Sequence, residues 1–202
     1  MLIFTGMDNS GKTTLAQEAS QELGFPLVKS LGPNHTKDEK HLWFLDQMTR
    51  ERVYPGSVIF DRFLPFEEMV YGKVLRGDPI YYLEDPYMKS LKDLNPTIVY
   101  TRPSSGTIFN WDGRPQMEGV ITEKEQLLRA WDDLMWKLLA LGWDVRVYDY
   151  QVSKWGEKDR ISSLSEALSK LFPPKPPFGS PLKWKGHPNC KCTIETDEED
   201  ED

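Results

Sequence analysis

The residues with the plainest chemical meaning stand near the amino end. Gly6-Met7-Asp8-Asn9-Ser10-Gly11-Lys12-Thr13 fits the pattern GxxxxGK[ST] at every defined position. Such a run is suited to hold a polyphosphate. Gly6 and Gly11 allow backbone angles and approaches that a Cβ blocks. The loop amides then turn inward, and the following helix N-terminus adds partial positive charge. Lys12 supplies an ammonium group to the outer phosphates, and the Thr13 hydroxyl a ligand for Mg²⁺. The expected ligands are ATP and Mg²⁺, with Gly6, Asp8, Asn9, Ser10, Gly11, Lys12, Thr13 and Thr14 forming the nucleotide-binding set. This loop serves hydrolases and phosphotransferases alike.

A second pair, Asp61-Arg62, closes the apolar run Val58-Ile59-Phe60. A carboxylate at the carboxyl end of a parallel strand lies where open α/β sheets bind ligands. An adjacent guanidinium can grip phosphate oxygens with two parallel hydrogen bonds. The bland alternative is a surface ion pair or a helix cap. Arg102 and Arg114 bracket an irregular stretch over 102–120 that reads as a lid. A lid excludes water, and either arginine could stabilise a transferring phosphoryl group. Solvated loop arginines are the alternative. Arg129, on a predicted helix, reads as structural, and Arg76 as a cap for its helix C-terminus.

The elements that must position these groups alternate between strand and helix. Leu2 to Thr5 reads as a buried parallel strand, and Lys12 to Leu23 as a helix stopped by Gly24. Leu27-Val28 is a weak second strand. Thr36 and Glu39 form a capping box for a helix to about Arg52. Tyr54-Pro55-Gly56 is a turn, Val58 to Phe60 the third strand, and 65–76 a helix ending near Gly77. Asp78-Pro79 and Asp85-Pro86 predict a broken helix over 79–94. Thr97 to Tyr100 is the fourth strand. Thr122 and Glu125 predict another capping box, and the apolar positions from Leu127 to Leu139 one helical face closed by Gly142. Trp143 to Tyr148 is the fifth strand, and Ile161 to Leu171 a last helix. The fold class expected is α/β, a P-loop NTPase fold with a five-stranded parallel sheet and helices on both faces.

The 202 residues, 39% hydrophobic, suffice for one domain over 1–171. The net charge of −7 and the lack of a basic run argue against a protein that lives on a nucleic-acid backbone. The two cysteines, Cys190 and Cys192, both fall in the last stretch, which suits a reducing compartment. A strand starting at Leu2 leaves no room for a targeting peptide, so a cytoplasmic location is expected, with no membrane partner. The tail, 172–202, carries six prolines between Pro173 and Pro188 and only acidic residues from Asp197 to Asp202. It reads as extended or disordered. His187, Cys190 and Cys192 supply three zinc-type ligands where a closed site wants four.

The opening Leu2-Ile3-Phe4-Thr5-Gly6-Met7-Asp8-Asn9-Ser10-Gly11-Lys12-Thr13-Thr14-Leu15 resembles that of the thymidylate kinase family. So does the Asp61-Arg62 pair, and the resemblance implies the nucleoside-monophosphate-kinase-like form of the P-loop fold. Glu67-Glu68-Met69-Val70-Tyr71-Gly72 and Tyr100-Thr101-Arg102-Pro103 are similar to segments of kinase-like proteins of this group encoded by bacteriophages; for a phage protein the location would be the host cytoplasm. The resemblance implies that Asp8 faces the acceptor's sugar or phosphate. It implies that Asp61 sits near Mg²⁺ and the attacking oxygen, and that Arg62 holds the acceptor phosphate. It further implies that a Phe on the helix before the Asp-Arg strand stacks on the base, with an Arg four residues later. Phe44 and Trp43 are the matching aromatics, although such residues are more often core than base platforms; Met48 stands in the arginine's place and Gln47 follows Trp43 at the same spacing. The acceptor is therefore expected to be a (deoxy)nucleoside monophosphate or related nucleoside, with a hydroxymethylated pyrimidine in DNA as the alternative. A homodimer is left open. No Asn-Lys-x-Asp guanine reader and no Asp-x-x-Gly after the third strand support a switch GTPase.

Overall fold

The computed structural model describes residues 1–56, 58–110 and 116–149. The predicted helix over 161–171, the whole tail and Arg114 lie outside the described residues. Five strands form one sheet: β1 Leu2–Thr5, β2 Leu27–Lys29, β3 Ile59–Asp61, β4 Thr97–Thr101 and β5 Asp144–Tyr148. Their spatial order is β2-β3-β1-β4-β5, and every pairing is parallel. Parallel strands need crossover connections, and the helices supply them.

The two faces of the sheet divide by the alternation of each strand. Ile3, Phe60, Ile98 and Tyr100 point into the larger core cluster, while Leu2, Phe4, Ile59 and Val99 point into the smaller one. The smaller cluster is closed by α1, Lys12–Leu23, through Leu15, Ala16 and Ala19. The larger is closed by α2 Lys37–Val53, α3 Leu64–Glu67 with its continuation, α4 Pro86–Asp93, α5 Ser105–Ile108 and α6 Lys124–Ala140.

Several ends follow local rules. Gly24, at φ 66°, stops α1 in the left-handed conformation. The Thr36–Glu39 capping box is present in both directions at the start of α2. From Glu68 to Arg76 the helix after β3 is wound as a π-helix, a rare form that tends to occur at functional sites.

Three sequence expectations are corrected. The stretch 79–85 is not helical: Asp85 Oδ2 accepts from the Tyr82 amide in a reverse turn, and helix begins only at Pro86. Thr122 does not cap α6. The chain is already coiled in turns before it, and the residue at the cap, Glu123, has φ −97° and ψ 17° rather than an extended backbone. Arg76 does not cap its own helix end; its guanidinium pairs with Glu68.

Leu127, with no exposed surface, joins α6 to the larger cluster. Leu127→Ala is expected to cost about 2–5 kcal/mol. Urea unfolding should show a lower midpoint at unchanged slope, and an unchanged midpoint would mean that α6 is not part of the cooperative unit.

Candidate active site

The phosphate loop leaves β1 at Gly6, whose φ is +143°. A Cβ there would lie 2.6 Å from the Thr101 carbonyl oxygen and 2.8 Å from its Oγ1. Gly6 is thus required by the closeness of the loop to the end of β4. Thr101 Oγ1 donates to the Thr5 carbonyl at 3.1 Å and is 2.7 Å from Ser10 Oγ. This buried pair of hydroxyls ties both ends of the loop to the neighbouring strand. Asn9, at φ 65°, sends its side-chain amide to the carbonyls of Thr107, at 3.0 Å, and Asn110, at 2.6 Å. The middle of the loop is therefore fastened to α5. Gly11, at φ 84°, turns the chain into α1, and Thr14 lies exposed in its first turn.

Lys12 is buried and curls back on the loop. Its Nζ donates to the Met7 carbonyl at 3.0 Å and lies 3.5 Å from Asp8 Oδ1. Burial and the nearby Arg62 lower its pKa, against the pull of Asp8, Glu67 and Asp61. Thr13 Oγ1 donates to Asp61 Oδ1 at 3.0 Å, which joins the start of α1 to the end of β3. A hydroxyl and a carboxylate are hard oxygen donors of the kind Mg²⁺ prefers, and that ion commonly completes its shell with water and substrate phosphate. The two groups fit a magnesium site of that kind. Among the described residues no group of three His, Cys, Asp or Glu comes together as a metal site.

Arg62 begins where β3 ends. Its amide continues the ladder to the Phe4 carbonyl at 2.9 Å, and its φ of 72° swings the side chain back towards the loop. There the guanidinium lies 2.7 Å from Asp8 Oδ1 and 3.5 Å from Glu67 Oε2. Burial alone would raise the Asp8 pKa, but Lys12 and Arg62 outweigh it and hold the carboxyl below its ordinary range. The opposite balance holds at Glu67. Burial pushes this carboxyl up, and Arg62 and Lys12 do not fully offset it. Tyr71, one helical turn beyond Glu67, accepts the Asp8 amide at 3.2 Å, and burial pushes its phenol well up.

Sequence reasoning gave no role to Glu67 or Tyr71. The signal available was spacing: four residues apart on one helix, they share a face. Arg102 is placed differently from a lid arginine over the phosphates. Its Nε and one terminal nitrogen bind both carboxylate oxygens of Asp132 on α6, at 2.8 and 3.0 Å. Tyr100 donates to the same carboxylate. Phe44 is 1% exposed, with edge-on contacts to Phe63, Tyr81 and Tyr87. Trp43 is half-buried beside Phe60 and Phe63. Both aromatics lie in or against the core, and Met48 is buried with them.

No family model and no curated protein sequence matches this chain. Solved structures do. The YorR protein of Bacillus subtilis, in complex with phosphorylated GDP, superposes with a TM-score of 0.57 at 19% identity, over 84% of this chain and 92% of that one. Deoxyadenosine kinase from M. mycoides with bound dCTP gives 0.55 at 18% identity, over 85% and 98%. The same enzyme with bound dATP gives 0.52 at 18% identity, over 84% and 98%. The fold is that of the P-loop kinases. The all-parallel five-stranded sheet and the expected fold class agree with that likeness.

The upward shift at Glu67 carries a sign. A carboxyl whose folded pKa is raised destabilises the fold above that pKa, and the penalty vanishes as pH falls below the ordinary value of 4.5. Glu67→Gln should therefore raise the melting temperature at pH 8, with the gain shrinking towards pH 4. A loss of stability at pH 8 would show that the ion pair with Arg62 outweighs burial.

Proposed function

We propose that this chain is an ATP-dependent kinase, transferring the γ-phosphoryl group of magnesium-bound ATP to a nucleoside or nucleoside monophosphate, in the manner of thymidylate-kinase-like enzymes. The observation that carries this reading is the 3.0 Å contact between Thr13 and Asp61, beside a complete phosphate loop. Phosphoryl transfer needs positioning and charge neutralisation more than covalent help. The loop amides and Lys12 hold the triphosphate. Thr13 and Asp61 would hold a magnesium ion, which would neutralise phosphate charge when bound. Arg62, across the loop, lies beside the acceptor. Asp8 orients Arg62 and Lys12 through one shared oxygen.

Lys12 must leave Met7 and Asp8 to reach a phosphate, and its burial keeps it close to the loop when it does. The likeness in fold to a deoxyadenosine kinase with bound dATP supports a nucleotide ligand in this crevice. The base contacts of thymidylate kinases have no full counterpart, since Met48 is buried where an arginine is expected. That departure favours an acceptor other than thymidine monophosphate. A hydroxymethylated pyrimidine in DNA is the second reading on the same ground.

Lys12→Ala is expected to lower transfer by at least about a hundredfold, and Asp61→Asn to do the same with ATP binding retained. Initial rates with radiolabelled ATP and titration with a fluorescent ATP analogue check both. Wild-type rates in Asp61→Asn would remove that carboxylate from the mechanism. Gly6→Ala should weaken ATP binding at least tenfold by pushing the loop off β4, and unchanged affinity would refute the close-approach argument.

A further inference from the structure

We propose that the acceptor is a neutral alcohol, the primary hydroxyl of a free nucleoside, and that Glu67 is the carboxylate that receives its proton. This deepens the phosphotransferase reading and rests on it.

The charges around the loop are already committed to one another. Arg62 is already shared by two carboxylates, with its terminal nitrogens 2.7 Å from Asp8 and 3.5 Å from Glu67. Lys12 contacts Asp8 as well. Among the described residues, Asp8, Asp61 and Glu67 thus surround the loop against Lys12 and Arg62. Arg102 does not alter this, because Asp132 holds its guanidinium. A nucleoside monophosphate would bring a dianion beside the γ-phosphate. It would need cations of its own, and Arg62 would have to abandon both partners to serve it. An alcohol brings no charge. It brings a hydroxyl proton, which a carboxylate accepts.

Glu67 has the capacity to accept it. Its Oε1 is buried and has no hydrogen-bond donor among the described residues. A buried oxygen left so is a cost to the fold that calls for a reason, and a role in catalysis is one such reason. Its companion Oε2 faces Arg62 at 3.5 Å, so the unpartnered Oε1 is the oxygen left to take a proton. Burial also raises the carboxyl pKa, which suits a group that takes a proton and releases it again. Asp8, Arg62, Lys12 and Tyr71 are the ionisable groups facing it from the loop, β3 and the π-helix. In the step itself, the acceptor oxygen bonds to the γ-phosphorus and the bond to the β–γ bridging oxygen breaks. ADP leaves with that electron pair, and the hydroxyl proton passes to Glu67.

The same hydroxyl chemistry is present on a hydroxymethylated base in DNA. The chain's net charge of −7 favours the free nucleoside over a phosphate backbone.

The test is a panel with the full chain, magnesium and γ-labelled ATP. Its arms are the deoxynucleosides, their 5′-monophosphates, and an oligonucleotide bearing 5-hydroxymethyluracil. For the preferred base, the nucleoside should give a kcat/KM at least about thirtyfold above its monophosphate. Glu67→Gln should lower kcat with the nucleoside about a hundredfold while magnesium-ATP affinity is kept. Preference for the monophosphate, label in the oligonucleotide alone, or wild-type kcat in Glu67→Gln would each overturn the proposal. If Glu67→Gln does not fold, the wild-type panel still decides the acceptor class. No label in any arm, with magnesium-ATP bound, would overturn the kinase reading itself.

Discussion

The close contact between the phosphate loop and the end of β4 sets the position of everything else. Gly6 lies so near Thr101 that a single added carbon would collide with backbone. That contact fixes where the loop starts. The Ser10–Thr101 hydroxyl pair fixes where it returns, and Asn9 fastens its middle to α5. The loop is then a rigid rim at the carboxyl ends of β1, β3 and β4, where open parallel sheets present their ligand crevice. Asp61 arrives from β3 in register with Phe4 of β1, so the sheet itself sets the distance from Asp61 to Thr13.

Around that rim the fold gathers closely spaced charges. Lys12 is buried and satisfied by a carbonyl and by Asp8. Arg62 occupies a left-handed backbone angle that is unfavourable for a long side chain. Glu67 keeps one oxygen without a donor. Each of these is a local cost in stability, and they converge on one place. Elsewhere the buried charges are paired more simply, as where Glu68 takes both Lys40 and Arg76. A site in which strain, burial and unmet bonding coincide is one organised around a ligand.

Much of this was legible in the sequence because it depends on local rules. Short stretches of two to six residues marked the strands, and the glycine after Leu23 and the Thr36–Glu39 box marked helix ends that match the structure. The phosphate loop was legible because its glycines and lysine are a local requirement. What was hidden depends on distant partners. Thr122 failed as a cap because the preceding turns had already coiled the chain. The π winding of Glu68 to Arg76 left no mark in the residue pattern. Arg102 was readable as a loop cation, but its binding to Asp132 arises only when α6 packs over β4. Spacing puts Glu67 and Tyr71 on one helical face, but their chemistry comes from facing Asp8 and Arg62, which only the packed fold supplies.

On the proposed function, the rim of amides, Lys12, Thr13 and Asp61 binds a magnesium-complexed triphosphate. Calorimetric titration of the full chain with a non-hydrolysable ATP analogue tests it most directly, with magnesium present and then chelated. Saturable one-to-one binding is expected, weakening at least about tenfold when magnesium is removed. Absence of binding in the presence of magnesium, or affinity indifferent to the metal, would contradict it.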